Sequence, residues 1–398
     1  MISKNNLFQV NLQFGRGSLN KTGEEIKAYG DNALIVPAKN SMKRLGFLDK
    51  LIEILESEKI NSTVFEKVEQ NPTVEEVDEG IKLARDNNCN LIIGIGGGSS
   101  IDTAKGIAIG ATHFNEDIST IWDFVTIDEK RGAQITNKIL PTVAITSTSG
   151  TGSHVTPYSV ITNKKTHEKP GIYSPYIVPT LSIVDINIVS SMPKELTAVT
   201  GFDALCHAME SFVAIGEHPI SDLYALKSVE LISENLDKAY NNGDDINART
   251  NMALADTLAG LAISTSRSVL PHSMAHSISG HYPMVQHGMA LACITLQVMK
   301  FNLESNDSKI TVEKYAKIAE LFGKKGTDKK ELALKSIEAI LEIQEKIGIQ
   351  KTLSDLPIDK GKIEIMTNDA FRIMKSGIER NPRKAEKSDV IKIYEESF

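Results

Sequence analysis

With 398 residues, 41% hydrophobic and 24% charged, the chain has the size and composition of an ordinary two-domain globular protein. Its formal net charge of −7, without any sustained Lys/Arg run, argues against a polyanion-binding surface, so no nucleic acid is expected as a partner. No window approaches the ~20 apolar residues of a bilayer span, so no membrane partner is expected either. The start of the sequence lacks the apolar run of a signal peptide, and three widely separated cysteines (Cys89, Cys206 and Cys293) make a disulfide framework improbable. A reducing cytoplasm is the expected location.

In chain order, Ala33-Leu34-Ile35-Val36 reads as a strand followed by an amphipathic stretch ending near Glu56. Asn61 to Phe65 is a second strand and Val74 to Asp86 a helix. Leu91-Ile92-Ile93-Gly94-Ile95 is a third strand, running straight into Gly96-Gly97-Gly98. Val143-Ala144-Ile145 and Leu181-Ser182-Ile183-Val184 supply two more. Strands alternating with helices predict a parallel sheet covered on both faces, an α/β domain over residues 1–190. The pattern changes at Ser191-Met192-Pro193-Lys194, where proline suits a first helical turn. From Leu196 onward helical periodicity dominates, and residues 191–398 read as an all-α domain. Asn251 to Ser266 is crowded with small residues, and Gly260 inside it suggests close helix packing.

Two loops invite a ligand. Gly96-Gly97-Gly98-Ser99-Ser100-Ile101-Asp102 follows an apolar strand and opens a helix. Glycines let backbone approach a ligand closely, and free amides at a helix start suit a pyrophosphate. A tight turn with Ser or Asp capping is the alternative reading. The loop comes after about three strands, whereas the familiar Rossmann fingerprint follows the first. Thr146-Ser147-Thr148-Ser149-Gly150-Thr151-Gly152-Ser153 is the second such loop, also after a buried strand.

The second half concentrates histidine. Asp203 and His207 are spaced i, i+4, which places both on one helix face, and His272 and His276 repeat the spacing; His218, His281 and His287 lie in the same region. Imidazoles with one carboxylate suit Fe(II), Zn(II) or a similar divalent ion. A lone histidine is more often a satisfied core or surface residue. Two such pairs in apolar helices point to metal, because buried charges need partners.

At these residues the chain resembles the iron-containing (group III) alcohol dehydrogenase family. The matching pieces are GIGGGSSIDTAK, TSTSGTGSHVTPYSVIT, GFDALCHAMES and HSMAHSISGHYPMVQHGMALA, with FGRGSLNKTGEEI near the N-terminus and Asn381-Pro382-Arg383 near the C-terminus. The resemblance implies a Rossmann-like dinucleotide-binding α/β domain at the N-terminus and an all-α metal-binding domain at the C-terminus, with the active site in the cleft between them. It implies metal ligation by Asp203, His207, His272 and His287. His276 falls on a histidine that lies beside the nicotinamide and is not usually a ligand. Cofactor contacts fall on Asn71, Gly97, Gly98, Ser99, Thr148, Thr151, Thr156 and Lys169, and a homodimer or higher homo-oligomer is expected. Three features depart from the family pattern. The common GTGSE reads Gly150-Thr151-Gly152-Ser153-His154. The interval from His272 to His287 is one residue longer than in some members. Ala38, followed by Lys39, stands where NAD-specific members carry an aspartate, which puts NADP slightly ahead of NAD.

The activity so implied is reversible hydride transfer between NAD(P)(H) and a small primary alcohol or aldehyde, with Fe(II) favoured as the metal and Zn(II) as the alternative. One carboxylate and three neutral imidazoles would leave a divalent site net positive, which suits an anionic oxygen, and His276 is the candidate catalytic residue for passing a proton to solvent. Two alternatives stand beside this one. A dehydroquinate-synthase-like or glycerol-dehydrogenase-like enzyme of the wider superfamily would use the same two cofactors; the former needs a basic pocket, and no Lys/Arg cluster lies near the metal helices. A non-catalytic metal- or nucleotide-binding protein would turn over no cofactor.

Overall fold

The computed structural model describes residues 10–127, 130–216, 218–304 and 308–398. Residues 10–192 form one compact unit and Pro193–Phe398 another.

In the first unit a six-stranded sheet is built from β1 (Asn11–Gly15), β2 (Asn32–Pro37), β3 (Asn61–Val64), β4 (Leu91–Gly96), β5 (Thr142–Thr146) and β8 (Leu181–Asp185), in the order β1-β8-β5-β4-β2-β3. Every pairing in it is parallel. Parallel strands bury both faces, which is why β2, β4, β5 and β8 read as near-continuous apolar runs. Leu34, Val36 and Ile92 pack on one face against helices α2 (Val74–Asp86) and α3 (Gly98–His113). Ala33, Ile35, Leu91, Ile93, Val143 and Ile145 face the other way, onto α1 (Phe47–Ser57). Helix α2 begins where the sequence carries a capping box: the Thr73 hydroxyl accepts the Glu76 amide, and the Glu76 carboxylate accepts the Thr73 amide.

Strand β1 escapes a reading by periodicity, because it is an edge strand of mixed composition (Asn-Leu-Gln-Phe-Gly) and half exposed. With β1 counted, the glycine loop follows the fourth strand rather than the third. A small antiparallel pair, β6 (Tyr158–Val160) with β7 (Gly171–Tyr173), was also absent from the sequence reading. The order reverses between β2 and β4, since β3 lies on one side of that pair and β5 and β8 on the other. Ligands in open α/β sheets bind at such a point, beyond the carboxyl ends of the strands. The glycine loop stands there.

The second unit contains no strand among its described residues, as expected. Its principal helices are α4 (Lys194–Val213), α5 (Pro219–Asn241), α6 (Ile246–Ser266), α7 (Leu270–His281) and α8 (His287–Glu304), joined by α9 (Lys309–Leu321), α10 (Lys329–Lys346), α11 (Ile363–Ile373) and α12 (Lys387–Glu396). Helix α4 is buried along almost its whole length, from Thr197 to Val213, apart from Thr200. Ala255, Ala259 and Ala262 of α6 belong to the same core.

One contact fixes where α8 starts. A β-carbon on Gly288 would lie 1.9 Å from the backbone carbonyl oxygen of Val199, in α4, so the two helices touch backbone to side-chain-free residue directly after His287. No flexible side chain stands there to yield. Gly288→Ala is therefore expected to destabilise the helical unit by about 3 kcal/mol, read as a lowered midpoint of thermal unfolding; an unchanged midpoint would contradict this packing.

Candidate metal centre and nucleotide-binding loops

The i, i+4 pairs form as the sequence predicts. Asp203 and His207 lie on α4 and are 4% and 7% exposed; His272 and His276 lie on α7, at 2% and 9%. One ligand atom from each of Asp203, His207 and His272 falls within 4.8 Å of the other two. The His207 and His272 rings stack at 4.2 Å between centroids. His287, the first residue of α8, sits with its ring 5.3 Å from that of His272, and its Nδ1 is 3.2 Å from the Ser279 hydroxyl. His276 stands edge-on to His287 at 5.1 Å and 6.5 Å from His272. The other two histidines of the region are employed elsewhere. Nδ1 of His218 caps α5 by accepting the Ile220 amide, and His281 pairs with Asp369 at 2.8 Å.

The donor set fits a divalent cation. Asp203 Oδ1 and His272 Nε2 are both buried without a hydrogen-bond partner and face each other at 3.3 Å. A buried carboxylate and a buried imidazole nitrogen left this way are costly unless a cation sits between them.

The sequence reading missed one residue here. Glu210, on α4 three residues past His207, is 4% exposed, and its Oε1 accepts Nδ1–H of His272 at 2.6 Å. Burial opposes the charged form of His272, but the carboxylates of Glu210 and Asp203 outweigh it and push the imidazole up to about 10, so the pocket favours positive charge at Nε2, whether a proton or a metal ion. Two carboxylates, Asp203 and Glu210, thus stand against the imidazole of His272. The signal was present in Asp203, His207 and Glu210 at i, i+4 and i+7 within the largely apolar run from Gly201 to Val213.

In the first unit the glycine loop and the second loop meet. A β-carbon on Gly97 would lie 3.1 Å from the Thr148 side chain, and one on Gly98 would lie 2.8 Å from that of Thr151. At these two positions glycine is needed for close approach rather than for unusual torsions: Gly97 has φ −79°, and Gly98 opens α3 as an ordinary helical residue. No side chain caps the start of α3, and Ser99 lies in its first turn. The hydroxyls of Ser100, Thr148 and Ser149 are buried with no hydrogen-bond partner, while Lys169, 7% exposed, reaches Asn71 Oδ1 at 2.7 Å. Asn71 itself has φ +59°, in the left-handed region asparagine tolerates. Free helix-start amides, spare hydroxyls and a buried ammonium are the donors a pyrophosphate asks for.

Lys105 ties the two loops together. Fully buried on α3, its ammonium donates to the carbonyls of Ser153 (2.7 Å), Thr156 (2.9 Å) and Tyr158 (2.7 Å). Asp102, one turn earlier, accepts from the Ser153 hydroxyl and the Val160 amide. His154, where the family's glutamate was expected, is buried, and burial with Lys105 nearby drives its imidazole down to about 3, so it stays neutral. Thr156, predicted as a cofactor contact, is buried and gives its carbonyl to Lys105.

Residues 10–186 match the model of the iron-containing alcohol dehydrogenases, and residues 197–398 match that of the C-terminal domain of the same family. The chain belongs to the iron-containing alcohol dehydrogenase family. It is 37% identical over 389 residues to an NADPH-dependent butanol dehydrogenase of Clostridium saccharobutylicum, covering 96% of this chain and 95% of that one. It is 32% identical over 387 residues to an NAD-dependent methanol dehydrogenase of Bacillus methanolicus, covering 96% and 97%. Among solved structures it is similar to an archaeal halo-thermophilic alcohol dehydrogenase from a Red Sea brine pool, at a TM-score of 0.97 and 43% identity over 100% of this chain and 99% of that chain. As a member of this family the protein is an oxidoreductase acting on alcohols, with a nicotinamide coenzyme and a divalent metal. No helix among its described residues is long and apolar enough to cross a membrane.

Lys105 gives the first unit a pH signature. Burial lowers its ammonium from the ordinary 10.5 to about 8. Between those values the unfolded chain holds a proton that the folded one has released, so stability rises with pH there, and the burial penalty is fully present below pH about 8. From pH 8 to 10.5, wild type is expected to gain on the order of 3 kcal/mol over Lys105→Met, measured as the difference in unfolding free energy. A constant difference across that window would remove Lys105 as the titrating group.

Proposed function

We propose that the protein interconverts a small primary alcohol and its aldehyde, with the metal held by Asp203, His207, His272 and His287. The observation that carries this reading is the convergence of Asp203, His207 and His272 within 4.8 Å, with two of their buried donor atoms lacking any hydrogen-bond partner. Fe(II) is favoured and Zn(II) is the alternative, since both accept imidazole and carboxylate. Bound there, the ion supplies a Lewis acid that lowers the pKa of an alcohol hydroxyl, and the nicotinamide supplies the hydride acceptor.

The chain's own residues do the rest. Gly97, Gly98 and Ser99, at the start of α3, bind the coenzyme pyrophosphate, with Thr148, Thr151 and Thr156 on the facing loop and Asn71 and Lys169 closing the set. Glu210 holds His272 in one orientation. His276 carries the alcohol's proton away, a role supported by its 9% exposure and by its ring standing 5.1 Å from that of His287. NADP stands slightly ahead of NAD, because Ala38 presents no carboxylate to repel a 2′-phosphate. The preference is modest: Lys39, the cation beside Ala38, already pairs with Glu69 at 2.7 Å, so a phosphate has to share it. The enzyme is proposed to work in the cytoplasm as a homodimer or higher homo-oligomer.

Two substitutions separate ligand from proton carrier. His207→Ala is expected to abolish both metal binding and turnover while coenzyme binding persists. His276→Ala is expected to keep its metal and lose turnover by roughly 10²-fold or more. The assay is metal-dependent oxidation of NADPH or NADH with a panel of short aldehydes, alongside metal content after chelation and reloading. A His207→Ala protein that remains active and metal-loaded would overturn the ligand assignment.

A further inference from the structure

Resting on that metal reading, we propose that Glu210 is the positioning residue of the metal centre: one carboxylate both fixes which nitrogen of His272 faces the ion and anchors the helix that carries it. Its Oε1 accepts Nδ1–H of His272 at 2.6 Å. A carboxylate offers no proton to this bond, so Nδ1 carries the hydrogen and Nε2 is the atom that turns toward Asp203, 3.3 Å away. The other oxygen, Oε2, accepts the backbone amide of Val269 at 2.7 Å and that of His272 at 3.4 Å. These amides stand at the start of α7, where Val269 provides no side-chain cap and Pro271 has no N–H. A negative charge is also favoured at that end of a helix.

The economy of this arrangement lies in where Glu210 comes from. It sits on α4 with Asp203 and His207, so the helix supplying two of the donors also dictates the position and ring orientation of a third, on a different helix. Neither Asp203 nor the ring stacking with His207 does this, because neither touches Nδ1. The second carboxylate also matches the charge of a divalent ion, which a single carboxylate leaves half balanced. Partners of this kind raise ligand basicity and fix the tautomer, and their loss typically costs 10–100-fold in metal affinity.

The test is a Zn(II) titration of the full-length chain, stripped by chelation, against a competing chromophoric chelator. Glu210→Gln is expected to weaken Zn(II) binding by about 10–100-fold, with Glu210→Asp intermediate and the NADP(H) dissociation constant unchanged in both. Should Glu210→Gln bind Zn(II) as tightly as wild type while His207→Ala does not, the positioning role fails and the metal site stands. Should His207→Ala also bind unchanged, the metal reading itself fails. A readout on wild type covers the case of a variant that does not fold. In Zn(II)-loaded protein with ¹⁵N-labelled histidine, His272 is expected to be protonated at Nδ1 and metal-bound through Nε2, and the opposite pattern would overturn the proposal.

Discussion

The burial of two carboxylates on one face of a helix sunk in the hydrophobic core is the constraint on which the second unit turns. Asp203 and Glu210 are each 4% exposed, on a helix surrounded by the unit's hydrophobic core. Charges in such a place must be met by hydrogen bonds or by opposite charge. Glu210 is met by the amides and the imidazole at the start of α7. Asp203 is met by imidazoles alone, and one of its oxygens has no hydrogen bond. That pattern suits a cation, while α4 is joined to α7 by the Glu210 hydrogen bonds and by a shared apolar core. Gly288, pressed against the backbone of Val199, lets α8 begin with the His287 ring 5.3 Å from that of His272.

The first unit solves a different problem with the same economy. Its sheet brings β4 and β5 side by side, so the loops that follow them meet at one edge, and the small side chains there exist for mutual approach. Lys105 then holds the second loop by three backbone carbonyls, at the cost of a buried ammonium that gives up its proton more easily than usual. A binding loop rich in glycine, serine and threonine has little apolar surface with which to hold its own shape. A lysine rooted in the neighbouring helix supplies what hydrophobic packing does not, and leaves the hydroxyls of Thr148 and Ser149 uncommitted.

Much of this is legible in the sequence, for reasons that differ by residue. Strands β2, β4, β5 and β8 announce themselves because both faces are buried, and Val74–Asp86 because Val74, Val77, Ile81 and Ala84 recur at helical spacing. Asp203–His207 and His272–His276 are visible because helical spacing is short-range. What stayed hidden is long-range. Glu210 looks like one more helix carboxylate until the fold sets His272, 62 residues away, against it. Lys105 looks like a solvent-facing lysine until a loop 48 residues on closes over it. Lys39 suggested a free cation for a 2′-phosphate, yet Glu69, 30 residues later, is its partner. Strand β1 hid for the opposite reason: at a half-exposed edge it needs no apolar run.

X-ray absorption at the zinc edge of the reloaded protein reads the donors around the metal without recourse to turnover. A nitrogen and oxygen shell at about 2.0–2.1 Å is expected, with the outer scattering of three imidazoles, reduced when His207 or His272 is replaced. A shell containing sulfur at about 2.3 Å, or one without imidazole scattering, would contradict it.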